Sequence, residues 1–293
     1  MPQPLTYPAL KIVLEYLELM KRFHITKRSS SLRRIEKLVP IRVKELSISE
    51  SYLFLNDEQV SIDTAREMDF YLTGRPNYVC NKVTLGGPFT DITLPPDFKI
   101  LTKELISQMR YFVTYLPVID PRSFPLRKLF TQIEEPAHFD HPILRSVDEL
   151  EIEDGYDGML PFIDENITNK TVVFSSCDVP HDDVLKLIRN WEKNGKELGT
   201  TYKFDDYKAG SQMSTMCQLK KKLSEFKNKR YNGTTESPFL IIPIDNTTSC
   251  INVYSTGQTG EFETILKVEH AKQKRKKSQR SEDAPVTCKK AKR

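Results

Sequence analysis

PLTYPALKIVLEYLELMKRFHITKRSSSLRRIEKLVPIRVKE, residues 4–45, carries two helical periods and then a break. Leu10, Val13, Leu14 and Leu17 recur at i, i+3, i+4 and i+7, which is one face of a helix. Pro8 sits at the start, where its missing N–H costs nothing and its fixed φ favours the first turn. A second helix is predicted with Ser30 or Ser31 as its cap, Leu32, Ile35, Leu38 and Val39 on its face, and Pro40 as its stop. Two amphipathic helices this short cannot bury their apolar faces alone. They need the rest of the chain or a partner.

After Pro40 the period becomes two. Val43, Leu46 and Ile48 lead into Tyr52-Leu53-Phe54-Leu55, and Asn56-Asp57-Glu58 turns back into Val60-Ser61-Ile62, so a hairpin or meander is expected. Val79 to Leu85 reads as a strand closed by Gly86-Gly87-Pro88. Leu101, Leu105, Met109, Phe112 and Leu116 predict a helix stopping at Pro117, and Leu126 to Ile133 a strand. A helical turn over 141–147 and a strand at Leu150-Glu151-Ile152 follow, then a looping linker over 154–170. Thr171-Val172-Val173-Phe174 reads as a strand buried on both faces. A helix is expected on Val184, Leu187, Ile188 and Trp191, with Asn194-Gly195 as its stop. Thr200 to Phe204 is a strand, and Met216, Leu219, Leu223 and Phe226 line a helix. Residues 239–243, 250–255 and 264–269 are three closing strands.

Short strands alternating with helices argue for parallel pairing through the middle of the chain. The fold class expected is mixed α/β: an N-terminal helical pair, an irregular leucine-rich-repeat-like curved sheet with helices, a C-terminal β-meander and a disordered basic tail. No strict repeat can be written from the sequence. The units are residues 4–45, an α/β body over 46–270 and the tail over 271–293.

Charge is divided along the chain. The net +4 combines +6 over residues 1–45, +8 over 271–293 and −10 over the body between them. An acidic body repels phosphate backbones and argues against nucleic-acid binding by the folded part. No apolar run is long enough for a membrane span, and the first thirty residues lack the pattern of a signal peptide. Cys80, Cys177, Cys217, Cys250 and Cys288 are scattered and never paired as C-x-x-C, so they read as reduced intracellular thiols. The sequons at Asn166, Asn169, Asn232 and Asn246 then count as chance matches.

Leu5-x-x-Pro8, Leu10, Val13-Leu14-x-x-Leu17, Lys21-Arg22-Phe23-x-Ile25, Arg28 and Leu32-Arg33-x-Ile35 resemble an F-box. More narrowly, they are similar to the opening of the nematode-expanded F-box C group with its associated domain of unknown function. Further echoes are Asp120-Pro121-x-Ser123-x-Pro125-Leu126, His141-Pro142, Leu187-Ile188-Arg189-x-Trp191, Gly195 and Gly199-Thr200-x-Tyr202-x-Phe204. The resemblance covers most of residues 4–270. It implies a non-catalytic substrate-recognition adaptor of a cullin-based ubiquitin ligase. Pro8, Leu10, Val13, Leu14, Leu17 and Phe23 would dock onto its Skp-type subunit, and the body would hold an unknown target protein.

Other chemistry is sparse. His138-Phe139-Asp140-His141, near Glu134 and Glu135, offers three metal-ligand types, but a closed zinc site takes four and the flanking prolines predict a solvated loop. His181 precedes Asp182-Asp183 and reads as a helix start. Lys220-Lys221-Lys222 and Lys227 to Arg230 read as a solvated helix face. No phosphate loop, nucleophile elbow or dinucleotide fingerprint occurs, and neither enzyme activity nor a cofactor is expected.

The tail differs. Lys272, Lys274, Arg275, Lys276 and Lys277, a spacer over 278–288, then Lys289, Lys290, Lys292 and Arg293 resemble a bipartite import signal for an import receptor, with the cytoplasm as the other compartment expected. Two further readings stay open. One is a degenerate F-box relative in which helix one packs on its own sheet and binds no Skp-type adaptor. The other is a nuclear chromatin-associated protein whose tail binds nucleic acid.

Overall fold

The computed structural model describes residues 6–49, 52–56, 58–61, 71–74, 78–86, 97–108, 111–133, 135–153, 167–175, 179–206, 218–226, 239–256 and 262–271. The expected linker lies almost wholly outside them, as does the whole import signal.

Three helices open the chain: α1 (Tyr7–Tyr16), α2 (Leu19–Lys27) and α3 (Ser30–Glu36). The predicted pair becomes three because Leu17 and Glu18 take non-helical backbone angles between α1 and α2. The cap of α3 is Ser29, one residue before the expected serines; its Oγ accepts from Leu32 N at 3.4 Å. Arg22 ties α2 to the turn beyond α3. Its guanidinium donates to Glu36 Oε1 at 2.7 Å, to the Glu36 carbonyl at 2.9 Å and to the Val39 carbonyl at 2.6 Å, with Arg22 and Glu36 both buried.

Beyond Pro40 the chain builds one mixed sheet. Its strands are β1 (Ile41–Ile48), β2 (Tyr52–Leu55), β3 (Glu58–Ser61), β4 (Tyr78–Leu85), β5 (Ile100–Leu101), β6 (Glu104–Ser107), β7 (Lys128–Gln132), β8 (Glu149–Glu153), β9 (Thr171–Ser175), β10 (Thr201–Asp206), β11 (Leu240–Pro243), β12 (Ser249–Thr256) and β13 (Phe262–His270). From β1 through β4, β6, β7, β8, β9 and β10, each strand pairs in parallel with the next. Antiparallel strands close both ends: β2 and β3 beside β1, and β13, β12 and β11 beside β10. This is the expected leucine-rich-repeat-like arc with its C-terminal meander.

The register shows a repeat that the sequence hides. Leu55, Leu46, Val83, Leu105, Leu129, Leu150, Val172, Tyr202, Leu266, Val253 and Leu240 lie side by side across the sheet. All are buried. Two residues on, Ile48, Leu85, Ser107, Thr131, Ile152, Phe174 and Phe204 are buried too, and three residues before the row so are Val43, Cys80, Thr102, Leu126, Val147 and Asn169. The unit is therefore inner-x-x-inner-x-inner. Across the middle strands it recurs roughly every 22 residues, inside the 20–29-residue range of leucine-rich repeats.

Residues 101–116 correct a prediction. The described ones form β5, β6 and a 3-10 turn over Phe112–Val118 rather than a helix, because their strands complete the ladder between β4 and β7; Met109 lies outside the described residues. Buried side chains also unite the repeats. Asn169 Nδ2 donates to the Leu144 and Val147 carbonyls at 3.0 and 2.7 Å, and Phe112 N donates to Thr131 Oγ1 at 3.0 Å.

Helices α4 (Pro142–Ser146) and α5 (His181–Asn194) also lie between strands. Asp182 and Asp183 occupy the first turn of α5, where they complement the dipole, and Gly195 ends it at φ 78°. Trp191 of α5 is fully buried edge-on against Tyr202, an inner-row residue, with ring centroids 4.9 Å apart. This helix thus covers the inner face of the sheet.

Candidate partner-docking surfaces

The N-terminal helices divide their apolar residues between the chain and solvent. Leu14 and Phe23, expected at a partner interface, are 3% and 2% exposed and serve the chain's own packing. Phe23 packs edge-on against Tyr71, ring centroids 5.0 Å apart, and joins the main core. Leu10 and Leu17 are half-buried, while Pro8 and Val13 are exposed. Other residues that face outward were not in the expected set: Ile12 at 56%, Tyr16 at 86%, Ile25 at 43% and Leu38 at 53%. Ile12 and Tyr16 are one turn apart, and that i, i+4 spacing is the signal that could have marked them.

A groove of about 630 Å³ lies beside this face. Leu17, Met20, Phe23, Ile25 and Tyr71 line it, with Lys21, His24 and Lys27. Lys21 pairs with Glu18 at 2.6 Å in solvent, which raises the lysine pKa and lowers that of the glutamate.

The His-Phe-Asp-His stretch is a packed turn rather than a solvated loop. His138 stacks on Tyr111 at 3.8 Å between ring centroids and lies 3.2 Å from Glu135 Oε1. The Tyr111 hydroxyl donates to the His138 carbonyl at 2.9 Å, and burial pushes its pKa to about 12. Phe139 is buried in the core, and Asp140 pairs with Arg145 at 2.7 Å. His141 Nδ1 accepts from Ile143 N at 3.3 Å and caps α4, while partial burial lowers its pKa. The imidazoles are spent on packing and capping. Among the described residues no cluster of three or more His, Cys, Asp or Glu could hold a metal.

The remaining candidates are structural where they are described. Lys222 pairs with Asp182, and Lys220 lies over the Phe239 ring at 5.4 Å, so that basic face partly ties the helical residues 218–222 to their neighbours. Lys227 to Arg230 fall outside the described residues. Cys80 and Cys250 are buried free thiols; burial pushes Cys80 to about 11 and raises Cys250, with Glu269 adding to the latter. No helix among the described residues is long and apolar enough to cross a membrane.

The outer face of the sheet is built by the residues between the inner ones. Glu45, Lys82, Glu104, Lys128 and Glu149 form one row, alternating in sign. Lys82 lies 3.4 Å from Glu45, and Lys128 lies 2.7 Å from Glu149 and 2.6 Å from Glu151. The next row holds Ser47, Thr84, Ile106, Phe130, Glu151, Val173, Lys203 and Ile265.

Consecutive parallel strands with one face sealed by a buried row define a repeat-built α/β protein of the leucine-rich-repeat-like class. Residues 68–206 match the family model of a domain of unknown function (DUF3557). The matched segment ends with the last residue of β10 and takes in the parallel strands from β4 onward, leaving out the N-terminal helices and the closing meander. No curated protein and no solved structure matches the chain.

Proposed function

We propose that this chain is a non-catalytic adaptor of the F-box type, the substrate-recognition subunit of a cullin-based ubiquitin ligase. In this reading α1 and α2 dock onto a Skp-type subunit, and the sheet holds a target protein. The supporting observation is the placing of apolar surface. Of the nine large hydrophobic residues exposed among those described, six lie on the helical segment: Tyr7, Ile12, Val13, Tyr16, Ile25 and Leu38. Covering such side chains gives about 1.5–3 kcal/mol each before association costs are subtracted.

The docking set differs from the one the sequence resemblance implies. Ile12, Val13 and Tyr16 make the contact with half-buried Leu17, whereas Leu14 and Phe23 hold the helices together. The test is a pull-down of a Skp-type subunit by wild type, Ile12→Asp and Tyr16→Asp, with melting temperatures measured alongside. Capture by wild type and loss in both folded variants supports the reading. A folded wild type that captures nothing overturns it.

The burial of Leu14 and Phe23 favours a second reading, in which the segment serves only its own fold. The same pull-down separates the two. The tail, outside the described residues, is proposed as an import signal through Lys274 to Lys277 and Lys289 to Arg293. Fusing residues 271–293 to a fluorescent protein tests it by nuclear accumulation.

A further inference from the structure

The groove on α2 joins an apolar floor to a basic rim. Phe23 and Tyr71 meet edge to face with ring centroids 5.0 Å apart and form its base, with half-buried Met20 beside them. Phe23 belongs to the main core, and Met20 and Tyr71 pack against that core, so the floor is held in place from behind. Ile25, 43% exposed, stands open to solvent on the wall. The volume of about 630 Å³ lies inside the roughly 300–1,000 Å³ range of clefts that take a ligand.

The surplus charge around it is positive. Residues 18–37 hold seven Lys/Arg against two Glu, a net of +5. Both glutamates are already committed, Glu18 to Lys21 at 2.6 Å and Glu36 to buried Arg22 at 2.7 Å. His24 and Lys27 line the groove, and Arg28 follows His24 by one turn on the same side of α2. All three are exposed, and no carboxylate among the described residues pairs with them.

We propose that this groove receives an acidic segment of a partner protein. A large apolar side chain of that segment sits on Met20, Phe23 and Tyr71, and its carboxylates lie beside His24, Lys27 and Arg28. Charge selects among the occupants. The chain's own tail, residues 271–293 with a net of +8, is repelled, and so are two copies meeting groove to groove. A bare polyanion satisfies the rim but leaves the apolar floor in water, so burial favours a segment carrying both kinds of group. The proposal stands apart from the adaptor reading: the contact argued there runs over Ile12, Val13 and Tyr16 of α1 and meets this groove at Leu17.

The test uses the full chain and three fluorescent ten-residue peptides. One has a central Leu-Phe pair flanked by Glu, one the same pair flanked by Lys, and one Ser-Ser in place of the pair between Glu flanks. The first is expected to bind about tenfold more tightly than either of the others. Its affinity falls as salt rises from about 0.1 M to about 1 M and the screening length shortens to about 3 Å. Ile25→Asp, at an exposed wall position, lowers that affinity about tenfold while the melting temperature is kept. Lys27→Glu with Arg28→Glu shifts the preference to the Lys-flanked peptide. Ile12→Asp leaves peptide binding unchanged while it removes the Skp-type subunit, so the two proposals fail separately. Equal binding of the Ser-Ser peptide, the mark of charge alone, overturns the proposal. So does no binding by the folded wild type, an unchanged preference in the double variant, or a dimer in light scattering that Ile25→Asp dissolves.

Discussion

Arg22 Nε lies 2.7 Å from Glu36 Oε1 in a pocket where the two side chains are only 3% and 1% exposed. The pair clamps α2 against the end of α3 just where the chain enters β1. Three backbone carbonyls, those of Glu36, Val39 and Pro40, accept from the same guanidinium. Lysine has one donor centre and cannot reproduce that fork.

Breaking the clamp leaves a buried charge or several unpaired carbonyls. Arg22→Met is expected to destabilise the fold by about 3–5 kcal/mol, measured by urea denaturation. Glu36→Gln, which retains an acceptor, costs less. The double variant Arg22→Met with Glu36→Met recovers part of the loss, because no lone charge then remains.

The inner row should dominate the energetics of the sheet. Leu129 sits between Leu105 and Leu150 and is fully buried, so Leu129→Ala is expected to cost about 2–5 kcal/mol. Glu45→Ala, on the outer face beside Lys82, is expected to fall within about 0.5 kcal/mol of wild type. Paired thermal melts check the contrast.

Asn169 looks like a glycan acceptor in the sequence and is a repeat-joining residue in the fold. Its amide nitrogen is committed to the carbonyls of Leu144 and Val147, and the residue is buried. Asn169→Ala leaves both carbonyls unpaired and is expected to cost about 1–3 kcal/mol in denaturant unfolding. Expression through a secretory route should add no glycan at this asparagine, which peptide mass spectrometry reads directly.

Cys80 is held neutral by burial, with its pKa raised from 9.0 to about 11. Native protein at neutral pH should therefore alkylate very slowly at Cys80, and urea-unfolded protein quickly, as mass spectrometry of the Cys80 peptide would show. The unfolded thiol ionises first as pH rises. Its contribution to stability is thus complete below about pH 9 and is lost between 9 and about 11. Cys80→Ala should remove that part of the alkaline loss.

Local pattern carried much of the architecture, and it failed where two periods coincide. Leu101, Leu105, Met109, Phe112 and Leu116 are spaced mainly by four, which suits a helix face but is also a multiple of the strand period of two. Pairing with Val83 on one side and Leu129 on the other places Leu105 in a strand. The repeat itself stayed hidden because its inner positions accept Cys80, Thr102, Ser107, Thr131 and Asn169 as well as aliphatics. Thr102, Thr131 and Asn169 survive burial because the fold supplies hydrogen-bond partners from neighbouring units.

The sequence alone determined the helical opening, the α5 helix around Trp191, the strands on either side and the closing meander, since each rests on a periodicity or stop signal within a few residues. Tertiary structure alone decided which side of each element is sealed. Leu14 and Ile12 are equally apolar in the sequence, yet one is buried and the other exposed, because burial depends on what α3 and the sheet place beside them. The same holds for the outer face of the sheet. Its row of Glu45, Lys82, Glu104, Lys128 and Glu149 comes together from residues far apart in the chain, and only strand register makes them neighbours.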